Sequence, residues 1–225
     1  MFNEGLMGET ERFTAGTSEL LVVVLFQILF IACGIQSYLT GNSTRSFWCI
    51  VYFVLTLIPF AFERQYGVTF PFGLKMMVAF AFFVHLWGRM TLWYWQMPLY
   101  DKFAHVVAAV AVGLIIFSCY LYLDYLEFVK KKPLFKKQVR ILSSQKTDVL
   151  VGTTIILILM GLCWEVGEYA IDVAYHTTYN FGFVDSLTDF MGNLIGLFII
   201  LYIVNRAMDS IPPGEHLDCL LRKRT

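Results

Sequence analysis

The chain has 225 residues, of which 58% are hydrophobic and 15% charged, and its 17 basic and 17 acidic residues leave no formal net charge. A soluble domain carries about 25% charged residues, so the apolar excess excludes an ordinary soluble fold and points to a lipid bilayer as solvent. The zero balance gives no bulk field for nucleic acid, which is not expected as a partner.

Residues 1–19 hold Glu4, Glu9, Glu11 and Glu19 with only Arg12 basic. A cleavable signal needs a basic start, so this segment is read as a retained N-terminal piece. The first apolar run is Leu20 to Leu39. The second is Phe47 to Phe62, with Pro59 near its end, and the third is Phe72 to Trp87, containing Lys75 and His85. Both fall short of the roughly 20 residues that cross a hydrocarbon core of about 30 Å. The fourth runs from Asp101 to Tyr122, the fifth from Val149 to Ala174, the sixth from Asp185 to Val204. The expected fold is an all-α polytopic transmembrane bundle of about six spans, occupying 20–204. Cys33, Cys49, Cys119 and Cys163 sit in or beside these runs and read as small core hydrophobes; Cys219 lies in the tail.

Basic residues orient the bundle. The connection 124–146 holds Lys130, Lys131, Lys132, Lys136, Lys137, Arg140 and Lys146, which places it on the cytoplasmic side. Six spans then put both termini in the cytoplasm, including the tail 205–225 with Arg206, Arg222, Lys223 and Arg224. Tyr175 to Val184, free of Lys and Arg, falls outside, and Trp87, Trp93, Tyr94, Trp95 and Tyr100 form an outer interfacial belt. The cell (cytoplasmic) membrane is the expected location.

Ionisable residues gather at that outer end. Asp101 and His105 are four apart and share a helix face. Glu165, Glu168 and Asp172 form a single stripe in the outer third of the fifth run. Asp185, Asp189 and Asn193 step inward along the sixth, beside Gly192 and Gly196, whose small-xxx-small spacing suits close approach of a neighbouring helix. So many carboxylates in a poorly hydrated place need protons, a cation or basic partners. Lys102, His105, His85 and Arg89 are the basic groups available. Asp101 and Asp185 also suit helix N-termini. Glu168 and Asp172 lie near a helix C-terminus, where the macrodipole disfavours negative charge, so local helix stability does not explain them.

Asp101-Lys102-x-x-His105, Trp164-Glu165-x-x-Glu168 and Asp185-x-x-x-Asp189-x-x-x-Asn193 followed by Gly196 together resemble the YjdF and VanZ-like group of small bacterial and archaeal membrane proteins, over the last three helices. VanZ-like proteins carry a Gln shortly after the Glu and an Arg before the Asp. This chain has neither, so it is more similar to the YjdF side. The resemblance implies a polytopic membrane protein with these polar positions grouped, and it supplies no reaction.

The residues support a site for a divalent cation and a polar head group. Asp101, Glu165, Glu168, Asp172, Asp185 and Asp189 are candidate ligands, and His105, Glu165 and Glu168 candidate catalytic groups. Lys102, Arg89 and Asn193 would contact a substrate such as a lipid or polyprenyl phosphate. A proton- or cation-coupled transporter and a structural or partner-binding subunit are the alternatives.

Overall fold

The computed structural model describes residues 7–66, 70, 72–129, 146–176, 180 and 182–210. These form seven helices and no strand: α1 (Met7–Leu39), α2 (Ser43–Tyr66), α3 (Phe72–Met90), α4 (Trp93–Gln96), α5 (Pro98–Val129), α6 (Lys146–Tyr175) and α7 (Phe183–Asp209). The basic residues 130–145 and the tail beyond Ser210 lie outside the described residues. Among the described residues, five stretches are long and apolar enough to cross a membrane: Leu21–Leu39, Ser43–Gln65, Leu99–Leu123, Lys146–Tyr175 and Phe183–Asp209. The sixth expected span, α3, has 19 residues and carries Lys75, His85 and Arg89, which lower its hydropathy. At about 1.5 Å per residue it still reaches nearly the thickness of a hydrocarbon core.

The second span is longer than its apolar run because polar residues at both ends are helical. Asn42 supplies the start: its Oδ1 accepts the Arg45 N–H at 2.9 Å, as an N-cap does. The preceding stop is a Schellman turn. Asn42 N–H donates to Ser37 O and Gly41 N–H to Tyr38 O, with Gly41 at φ 78°. A left-handed residue is needed there, and glycine takes it without a Cβ clash.

The described residues divide into two compact units, one ending at Leu86 and the other beginning at Trp87. In the first, Gln27 Nε2 donates to Thr56 Oγ1 at 2.5 Å, and Ser46 Oγ donates to Gly34 O at 3.1 Å, joining α1 to α2. Tyr52 stacks on Phe82 and meets the edge of His85. Lys75, 2% exposed at its side chain, pairs with Glu63 at 2.8 Å, and Glu63 also accepts the Phe70 N–H. This pairing satisfies a buried ammonium that would otherwise be costly.

In the second unit α5 packs closely on α7, and glycine makes that possible. A Cβ at Gly192 would lie 2.8 Å from the Lys102 carbonyl oxygen, and one at Gly196 would lie 2.7 Å from that of Val106. The expected small-residue seam is therefore the α5–α7 contact. α6 turns Val149, Thr153, Leu157, Gly161 and Glu165 inward at four-residue spacing. Its other faces expose Trp164, Val166, Tyr169 and Val173. In lipid an apolar side chain gains little by turning inward, which also explains why Cys119 and Cys163 are exposed whereas Cys49 is buried.

Candidate functional site

Three helix ends build the site. α5 opens at Pro98, whose fixed φ and missing N–H suit a first helical position. Its first turns carry Asp101, Lys102 and His105. α7 begins after Gly182 and carries Asp185, Asp189 and Asn193 inward. α6 arrives from the opposite direction with Glu165 and Glu168.

Lys102 is the electrostatic centre. Its Nζ donates to Asp185 Oδ1 and Asp189 Oδ1, each at 2.5 Å, and to Asp101 Oδ2 at 3.4 Å. The Asp189 side chain is 1% exposed and that of Lys102 21%. His105 Nε2 faces the same carboxylates, 3.7 Å from Asp101 Oδ1 and 3.8 Å from Asp189 Oδ1. On the other side of the ring, Nδ1 lies 3.4 Å from Asn193 Oδ1. When Nδ1 carries the ring proton it can donate to that amide oxygen, which leaves Nε2 available as a ligand on the carboxylate side. Gly161 gives Asn193 the room to sit there: a Cβ at Gly161 would lie 3.2 Å from its Nδ2.

One ligating atom each from Asp101, His105 and Asp189 can be chosen so that all lie within 4.8 Å of one another. Donor atoms around one small divalent ion sit about 3 Å apart, given metal–ligand distances of about 2.0–2.2 Å. A modest contraction of side chains would close that gap. Two hard oxygens and an imidazole suit Mg, Mn or Zn.

Glu165 is the anomaly. It is 8% exposed, and both its carboxyl oxygens are buried without a hydrogen-bond partner. It lies within electrostatic reach of Asp101, His105 and Asp185. Ser186 is a neutral donor nearby: its Oγ accepts from Asn180 Nδ2 at 2.5 Å, which leaves the hydroxyl hydrogen free to turn toward Glu165. Glu168 is half-buried, within reach of Glu165, Asp101 and Asp189. A buried carboxyl group with one neutral hydroxyl at most to meet it still needs a proton or a cation.

Asp172 does other work. Its Oδ2 accepts the Asn180 N–H at 2.8 Å, and Asn180 Oδ1 accepts the Gly182 N–H at 2.7 Å, so it fastens the turn from α6 to α7. Asn180 and Ser186, which make that fastening, were not singled out in the sequence; their only mark is an Asn two residues before a glycine. Arg89 is half-buried in the last turn of α3. His176, exposed at φ 52°, follows the end of α6.

A family model described as a predicted membrane protein (DUF2238) matches residues 19–210. The chain belongs to this family. The match runs from the start of the first apolar run to the end of α7, so DUF2238 takes in all the helices that carry the site. No curated protein and no solved structure matches the chain. The protein is thus an integral membrane protein of DUF2238, a polytopic helical bundle with a carboxylate and histidine cluster.

Proposed function

We propose that this chain binds a divalent cation at the outer interface of the cytoplasmic membrane, and through it the phosphate head group of a lipid or polyprenyl substrate. The supporting observation is the convergence of Asp101, His105 and Asp189 beside the unpartnered Glu165. Asp101, His105 and Asp189 are the core ligands in this reading, and Glu165 the next carboxylate available. Asp185 and Glu168 supply further negative charge. Asn193 orients the imidazole, and Lys102 and Arg89 are the phosphate contacts. A metal held there would polarise a phosphoryl oxygen and acidify a bound water, with Glu165 or Glu168 placed to take the proton. The outer location follows from the basic segment 130–146 on the cytoplasmic side. The resemblance to YjdF-type proteins agrees with such a grouping.

A proton-coupled transporter would also use an unpartnered carboxyl group. It would need polar steps beyond it, but the inward stripe of α6 past Glu165 continues as Gly161, Leu157, Thr153 and Val149. That pattern favours a site served from one face.

Thermal melting in detergent with Mg²⁺, Mn²⁺ or Zn²⁺ tests the proposal. A ligand that prefers the native state raises Tm. The wild type gains stability with at least one of these ions and Asp189→Asn does not. No shift with any of them at millimolar concentration removes the metal reading.

A further inference from the structure

Asp189 Oδ1 is claimed twice. It accepts from the Lys102 ammonium at 2.5 Å, and it is the oxygen that faces His105 Nε2 at 3.8 Å across the candidate metal position. An ammonium and a divalent ion cannot share that oxygen cheaply, because like charges at contact distance in a poorly hydrated place repel strongly. We infer that Lys102 is an internal counter-ion that the divalent cation displaces, and that the displaced ammonium becomes the binding group for a phosphate anion, so that cation and phosphate bind cooperatively. This inference rests on the metal reading above.

Three observations carry it. Lys102 is the more exposed partner of its pair with Asp189, and it ends a flexible four-carbon stem, so it can leave while Asp189 stays. Its carbonyl oxygen is pinned against Gly192, so the movement is confined to the side chain. Lys102 also does not complete the site: Glu165, more than nine-tenths buried, keeps both oxygens without a donor while Lys102 is bound to Asp185 and Asp189. That surplus of negative charge calls for a second cation. When one arrives and takes Asp101 and Asp189, Lys102 is left with Asp185 alone of its three carboxylate partners, and a phosphate monoester or diester is the ligand that would replace the negative charge it lost. The same chemistry is offered by a lipid head group and by free phosphate.

The test is Mn²⁺ affinity of the full chain in a phosphate-free sugar detergent, read from the electron paramagnetic resonance of the free ion. It is repeated with inorganic phosphate and with phosphatidic acid in the micelle, and each condition is corrected against a protein-free control. Wild type should bind Mn²⁺ weakly in detergent alone and about tenfold more tightly with one of the anions, within the usual range for coupled ligands. The anion that acts identifies the source, lipid or soluble. Lys102→Met should bind Mn²⁺ more tightly without any anion and should ignore both. Lys102→Arg, which keeps the charge, should retain the anion response, and this arm stands if Lys102→Met does not fold. Wild type that binds Mn²⁺ equally well with and without either anion overturns the exchange and leaves the metal reading intact. So does Lys102→Met binding no more tightly than wild type. Absence of Mn²⁺ binding in every protein and condition overturns the exchange, and together with a melt that Mg²⁺, Mn²⁺ and Zn²⁺ all leave unmoved it overturns the metal reading as well.

Discussion

Lys102 on α5 and Asp189 on α7 are joined at 2.5 Å directly beside the glycine contact that seats one helix on the other. The charge pair and the close helix approach therefore depend on each other. Asp189 is 1% exposed, so removing its charge leaves the ammonium with one near partner in place of two. Breaking a buried pair from one side costs about 3–5 kcal/mol. Asp189→Leu should lower the melting temperature strongly, and Lys102→Met combined with Asp189→Leu should recover part of that loss. A double variant no more stable than Asp189→Leu alone would show that the pair is not the source of the effect.

The glycines of the α5–α7 seam give a second expectation. Gly196→Ala forces a Cβ against Val106 O and Ala109 Cβ, at 2.7 and 2.6 Å, and backbone cannot yield as a side-chain tip can. Gly167, also helical, has nothing within 4 Å of an added Cβ. Gly196→Ala should therefore destabilise the protein, and Gly167→Ala should be neutral or stabilising by about 0.5–1 kcal/mol through helix propensity. Melts of the two variants side by side settle it, and equal effects would refute the packing assignment.

Gly192 and Gly196 were legible in the sequence as an inward face because their spacing is a property of the helix. So were the long helices, whose apolar runs have no other stable form in lipid. The ends of α2 were not, because Thr44, Arg45, Glu63 and Arg64 continue the helix beyond the apolar run. The short α4 was missed because Trp93–Gln96 reads as interfacial aromatics, and its start at Leu92, φ 61°, carries no glycine to announce a turn. The convergence of Asp101, His105 and Asp189 followed from their position at one end of the bundle. That Lys102 holds two of the aspartates, and that Asp172 serves the turn, depends on side-chain reach that spacing alone does not fix.

Asn193 offers a test of the imidazole tautomer. Outer partners of a ligating histidine are worth about 10–100-fold in metal affinity. Asn193→Ala should reduce Mn²⁺ affinity within that range while leaving the melt of the metal-free protein nearly unchanged. Undiminished affinity would show that Nδ1 needs no acceptor there.

Orientation is open to labelling in intact cells, in a background lacking the native cysteines. His176→Cys and Asp209→Cys both lie at exposed positions at opposite ends of the second unit's helices. With basic loops inside, an impermeant maleimide should reach the first and not the second. The reverse pattern would move the carboxylate cluster to the cytoplasmic face.

Glu165→Gln separates cation binding from packing. Gln keeps the shape of Glu without its charge, and neither oxygen of Glu165 has a donor to lose. The variant should fold and insert with a metal-free melting temperature at or above that of wild type, and it should lose the stabilisation that the divalent ion gives. A variant that keeps the full metal-induced gain would take Glu165 out of the site.

The most direct measurement is the position of the ion itself. An anomalous difference map from crystals of the protein grown with Mn²⁺ should show a peak about 2.0–2.4 Å from His105 Nε2 and from a carboxylate oxygen of Asp101 and of Asp189, with the Lys102 ammonium withdrawn from Asp189. Lys102 still seated between Asp185 and Asp189, with no anomalous density among Asp101, His105 and Asp189, would contradict the account.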